Sequence, residues 1–145
     1  MEFKFPMLLD GATGTRLQEA GMPDGACSET WVLENPDVFL RIQQGYVEAG
    51  SMVLLTPTFG GNRVKLMQHG ISDIEGYNRR LVELTVKAAQ GKALVAGDIA
   101  PTGCMIYPYG DSSVEELKEI FKEQAVVLDE SGVDIFVIET MMTLP

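Results

Sequence analysis

The sequence predicts a parallel α/β fold of about four strand–loop–helix units, and three observations carry that expectation. First, four apolar runs each end on an oxygen-bearing side chain: Met7-Leu8-Leu9-Asp10, Val53-Leu54-Leu55-Thr56, Leu94-Val95-Ala96-Gly97-Asp98 and Ile135-Phe136-Val137-Ile138-Glu139. Short, continuous apolar runs of this kind suit strands buried on both faces. Second, the last three runs start 41 residues apart, at positions 53, 94 and 135. Third, each of these follows a glycine on the same spacing, Gly50, Gly91 and Gly132, and a glycine in that place suits the end of the preceding helix. In parallel α/β proteins the ligand sits at the carboxyl ends of the strands. Asp10, Thr56, Asp98 and Glu139 fall there.

The elements follow in order. Phe5 to Asp10 is the first expected strand, and Gly14 to Ala20 a short helix ended by Gly21. Met22 to Glu34 shows no clear period and is expected to be a long loop. Asn35-Pro36-Asp37 opens a helix: asparagine can cap, proline is tolerated at the first helical position, and aspartate favours the positive end. Val38, Phe39, Ile42, Tyr46 and Val47 form its apolar stripe up to Gly50. The second strand runs from Met52 to Thr56, and Thr58 to Gly70 is expected to be another loop. A helix from Ile74 to Gln90 buries Tyr77, Leu81, Leu84 and Ala88, with Gly91 stopping it. The third strand spans Ala93 to Asp98. Ser113-Val114-Glu115-Glu116 matches a capping box, its helix continues to Gly132, and the fourth strand is Asp134 to Glu139.

A chain of 145 residues allows one domain, 1–145, with a real core. Hydrophobic content of 46% and charged content of 22% are ordinary for a globular protein. The net charge of −10 argues against nucleic acid or an anionic membrane as partner. No apolar stretch reaches the roughly 20 residues that span a bilayer, and Met1 to Pro6 lacks a signal-peptide layout. Cys27 and Cys104 give neither a disulfide framework nor a CxxC motif, so free thiols and a cytoplasmic location are expected.

The repeat fits either a complete, open doubly wound sheet or the first half of an eight-stranded parallel α/β (TIM) barrel. A typical barrel uses about 31 residues per unit, so a repeat of 41 implies long loops. They lie at the strand carboxyl ends, while the glycine turns entering the strands are tight. Long loops on one face only favour the half-barrel.

Each motif carries a structural reading beside the functional one. Asp10-Gly11-Ala12-Thr13-Gly14-Thr15 follows the first strand directly, and exposed amides at a helix start can hold a carboxylate; the alternative is a tight turn with Asp10 as its cap. The spacing is neither GxGxxG nor a Walker loop. Thr56 and Asn62, in Thr56-Pro57-Thr58-Phe59-Gly60-Gly61-Asn62, either line a pocket or serve the turn. Asp98, before Ile99-Ala100-Pro101, is favoured as a structural cap. Glu139 differs, because a carboxylate closing an apolar strand is costly unless paired, and a substrate ammonium or a neighbouring cation would satisfy it. His69 has no second ligand at metal spacing and is expected on the surface.

Taken together and in order, Leu9-Asp10-Gly11-Ala12-Thr13-Gly14-Thr15, Thr56-Pro57-Thr58-Phe59-Gly60-Gly61-Asn62 and Val137-Ile138-Glu139-Thr140 resemble the homocysteine S-methyltransferase family. That family includes the N-terminal module of cobalamin-dependent methionine synthase and betaine–homocysteine methyltransferase. The resemblance covers essentially the whole chain. It implies an eight-stranded α/β barrel in which Asp10 and Glu139 hold the amino acid part of homocysteine, with backbone around Gly11 assisting. It also implies methyl transfer to a zinc-bound thiolate, the metal lowering the thiol pKa. The family's zinc ligands are a single cysteine and an adjacent pair from the second half of the barrel, and Cys27 and Cys104 match neither. The chain is therefore expected to be the N-terminal half of such an enzyme. It would carry Asp10, Gly11, Thr56, Asn62 and Glu139 as substrate-binding residues, with no catalytic residue and no metal ligand of its own. Cobalamin and methyl-folate would enter through other modules of the parent. By itself the piece is expected to hold no stoichiometric zinc, to transfer no methyl group and to associate as a homodimer. The reading from a different class is a self-contained small α/β ligand-binding or interaction module without catalysis.

Overall fold

The computed structural model describes residues 5–142, so most of the N-terminal stretch read for a signal layout lies outside it. The elements are α1 (Thr13–Glu19), α2 (Ser28–Glu34), α3 (Pro36–Glu48), β1 (Val53–Leu55), α4 (Arg63–Gln68), α5 (Ile74–Ala89), β2 (Leu94–Ile99), α6 (Val114–Glu130) and β3 (Ile135–Ile138). The strands form one parallel sheet in the order β1-β2-β3, with Val53 opposite Leu94 and Ala96 opposite Ile135. Successive strands are thus neighbours, and their order never reverses.

The 41-residue repeat has a physical basis in its turns. Gly50, Gly91 and Gly132 adopt φ of +99°, +69° and +88°, conformations that a side chain disfavours. Each lets the chain leave a helix and enter the next strand within a few residues. At the start of α6 the capping box is complete: Ser113 Oγ accepts the Glu116 N–H at 3.1 Å, and Glu116 Oε2 accepts the Ser113 N–H at 2.7 Å.

Helices α3, α5 and α6 cover one face of the sheet. Leu54 and Val95 pack there against Leu40, Ala88 and Ala89, and Ile99 packs against Val82 and Leu128. A further cluster of Leu17, Val32, Phe39 and Leu81 ties α1 and α2 to α3 and α5. Strand side chains alternate between faces, so Val53, Leu55, Ala96 and Asp98 point away from these helices. On β3 the helix-side residues Phe136 and Ile138 remain 41% and 66% exposed.

Four expectations are corrected. The strand expected over Phe5–Asp10 is only a single parallel bridge from Leu9 to Val53. Leu8 and Leu9 gain pairing from β1 alone and stay half-exposed, and Pro6 has no N–H to give a ladder. The loop expected over Met22–Glu34 contains α2, a helix too short to show a period but held by buried Val32. The loop expected over Thr58–Gly70 contains α4, capped by Asn62. Asn35 precedes α3 without capping it; its side-chain amide donates to Trp31 O at 2.9 Å. No helix among the described residues is long and apolar enough to cross a membrane.

Candidate functional site

A cavity of about 580 Å³ opens at the carboxyl ends of the strands. The carboxylates on its wall come from four places: Asp10 before α1, Glu29 on α2, Asp98 on β2 and Glu139 just past β3. No lysine or arginine is among the described residues lining it. Gly11, Ala12, Thr13 and Gly14 form another side, where α1 begins without a side-chain cap.

Each carboxylate is positioned differently. Asp10 does not cap α1; its Oδ2 accepts the Leu55 N–H at 3.0 Å and thereby links the first segment to the end of β1. Burial raises its pKa to about 6, the Leu55 hydrogen bond opposing and the Glu139 charge adding to the rise. Glu29 is buried and well satisfied, accepting from Gly60 N–H at 2.6 Å, Ser28 Oγ at 3.1 Å and Cys27 Sγ at 3.4 Å. Gly60 must be glycine for this contact, since a Cβ there would lie 2.5 Å from Glu29 Oε1. Glu139 is half-buried, its N–H donating to Ile99 O at 3.1 Å, and its carboxylate has no recorded hydrogen bond or ion pair among the described residues.

Asp98 is the most constrained of the four. Only 4% exposed, it leaves Oδ1 without a hydrogen-bond partner among the described residues. Burial raises its pKa to about 7, with Glu139, Asp10 and Glu29 adding to the rise and Lys65 opposing it. Its backbone is locked by a ring of hydroxyls. Thr58 Oγ1 donates to Asp98 O at 2.8 Å, and the Asp98 N–H donates to Thr56 Oγ1 at 3.0 Å. The two hydroxyls are 2.7 Å apart, and since the Thr58 proton is already used, Thr56 donates to Thr58. Thr56 therefore lines the cavity but spends its proton on Thr58, while its oxygen accepts from β2.

Of the residues singled out from sequence, Asp10, Gly11, Thr56 and Glu139 come together on this wall, and Asn62 does not. Fully buried, Asn62 uses its side-chain oxygen to cap α4, accepting the Lys65 N–H at 3.1 Å. An asparagine just ahead of Val64, Leu66 and Met67 was a legible cap signal. Asp98 faces the cavity instead of capping the following turn. Glu29 was missed altogether, because the segment around it reads as loop.

The match to known sequences decides the family. The homocysteine S-methyltransferase family model matches residues 7–145. This chain belongs to the homocysteine S-methyltransferase family. Homocysteine S-methyltransferase 1 of Arabidopsis thaliana is 26% identical over 160 residues, which cover 92% of this chain and 49% of the plant protein. Methionine synthase of Mycobacterium leprae is 29% identical over 152 residues, 95% of this chain and 12% of that protein. The crystal structure of the Escherichia coli homocysteine methyltransferase MmuM, metallated form, superposes with a TM-score of 0.78 at 25% identity, covering 95% of this chain and 55% of MmuM. The chain thus spans about half the length of the plant enzyme and of MmuM.

Proposed function

We propose that residues 1–145 are the first four βα units of an eight-stranded barrel that transfers a methyl group to the sulfur of homocysteine. The cavity would hold the amino acid end of that substrate. The observation that carries this is the strand order. Leu9, β1, β2 and β3 are consecutive neighbours with no reversal, whereas a doubly wound sheet binds its ligand where the order reverses. Asp10, Thr56, Asp98 and Glu139 thereby line up along one rim, as at the carboxyl-terminal face of a barrel. An acidic wall suits the substrate ammonium.

The reaction joins the homocysteine sulfur to the methyl carbon as the donor releases it, after the thiol has lost its proton. Zinc is the group implied for activating that thiol, and the donors on this chain do not fit it. Among the described residues no three His, Cys, Asp or Glu side chains are disposed to hold a metal ion. Cys27 is engaged with Glu29, and His69 is exposed. In this reading the metal ligands belong to the other half of the barrel, and this half binds and orients.

Titration calorimetry with L-homocysteine tests the pocket. Asp10→Asn and Glu139→Gln should each weaken binding about 10- to 100-fold, the worth of a hydrogen bond to a charged group. Wild-type affinity in both variants would remove these residues from the site.

A half-barrel also leaves apolar edges open. Leu8, Ile138 and Phe136 are 59%, 66% and 41% exposed, and unpaired strand edges associate. Alone, the chain should form a two-fold dimer at micromolar concentration by light scattering. A cooperative monomer would favour the self-contained module instead.

A further inference from the structure

Two non-glycine residues among those described adopt positive φ, Gln90 at +51° and Thr140 at +60°. Gln90 ends α5, where a left-handed residue is common. Thr140 ends no helix, and its branched side chain makes that conformation a genuine outlier. It directly follows Glu139 on the cavity wall. We propose that Thr140 is a positioning residue that keeps the cavity open: its left-handed turn takes the chain away from the mouth and places Met141 in a second pocket. The proposal rests on the reading of the first cavity as a homocysteine site.

The alternation of the strand shows what the turn avoids. Val137 and Glu139 both line the cavity, as residues two apart on a strand share a face. Continued in extended form, the chain would put Met141 on that same face about 7 Å past Glu139. Its long, flexible side chain would then stand over the mouth. Instead, Met141 and Met142 line a separate pocket of about 530 Å³ with Pro101, Tyr109, Leu117 and Phe121.

Strain of this kind persists only where the surroundings hold it, and both flanks of Thr140 are held. Before it, the Glu139 N–H donates to Ile99 O at 3.1 Å and keeps the chain on β2 up to the turn. After it, a pocket that also contains two aromatic rings suits the thioether side chains. The Thr140 N–H donates to no backbone carbonyl among the described residues, so a proline there would forfeit no backbone hydrogen bond.

The test is calorimetric titration of the chain with L-homocysteine, each variant being checked for its fold by circular dichroism. Thr140→Gly takes the left-handed turn freely and should bind within about threefold of the wild type. Thr140→Pro fixes φ at about −65°. It should bind about tenfold or more weakly, since affinity falls with the fraction of chains whose cavity is open. Adding Met141→Ala to Thr140→Pro should restore most of that loss, a rescue that simple damage to the fold would not give. Wild-type affinity in Thr140→Pro, or a loss that Met141→Ala does not restore, overturns the proposal while leaving the pocket intact. So does weak binding by Thr140→Gly, an arm that stands whether or not the proline variant folds. A wild type that binds no homocysteine overturns the pocket and this proposal together.

Discussion

Gly61→Ala should cost about 3 kcal/mol of stability or prevent folding, read as a lowered urea midpoint. A Cβ at Gly61 would lie 2.4 Å from Asn78 Oδ1, 2.9 Å from Gln124 Nε2 and 2.9 Å from the Thr58 carbonyl oxygen. Those atoms cannot simply move aside. Asn78 and Gln124 are fully buried, and their amides donate at 2.8 Å to Gly61 O and Thr58 O. Relieving the clash breaks at least one buried hydrogen bond, worth about 1–3 kcal/mol when a group is left unsatisfied, on top of about 1–3 kcal/mol for overpacking. The same bonds hold the loop that carries Thr56, Thr58 and Phe59, so the cavity wall should be lost with them. A stability change below about 1 kcal/mol would show that this loop is not anchored as described.

The second large effect runs in the opposite direction. Asp98→Asn should stabilise the chain at about pH 8 by a few kcal/mol and have almost no effect at about pH 4. The sign follows from the direction of the shift. The folded pKa of Asp98 is raised to about 7, above the roughly 3.9 of an unfolded aspartate. Below the unfolded value both states are protonated and the residue costs nothing. Between the two values the unfolded chain ionises first, so stability falls as pH rises, and the loss levels off above the folded pKa. Asp10, raised to about 6 and only half-buried, contributes the same trend more weakly. Thermal melts of wild type and Asp98→Asn from about pH 4 to about pH 8 check this. Parallel curves would mean that Asp98 is not held in an unfavourable site.

The four carboxylates on the cavity wall differ in how far the sequence made them legible. Glu139 was readable because a carboxylate closing a wholly apolar strand demands a partner. Asp10 was readable because it heads a glycine-rich turn directly after such a run. Asp98 has the same placement at a strand end, but the turn-rich Ala100-Pro101-Thr102-Gly103 offered a cap as a sufficient explanation. Only its burial and orphaned oxygen separate the two readings. Glu29 lies on a seven-residue helix, fewer than two full turns' worth of apolar spacing, and its partner Gly60 is 31 positions away. The parallel sheet was legible because glycine turns repeat on a fixed spacing. The weak first strand was over-read because an apolar run does not say whether a second neighbour is present to pair with it.

Together the carboxylates at the strand ends are proposed to form one amino-acid pocket. Carboxyl-carbon NMR titration of the aspartates, with and without saturating L-homocysteine, tests it most directly. Without ligand, Asp98 and Asp10 should titrate near 7 and 6. With homocysteine bound, the substrate ammonium should draw both downward toward the ordinary carboxylate range. Identical titration curves with and without homocysteine would contradict the claim.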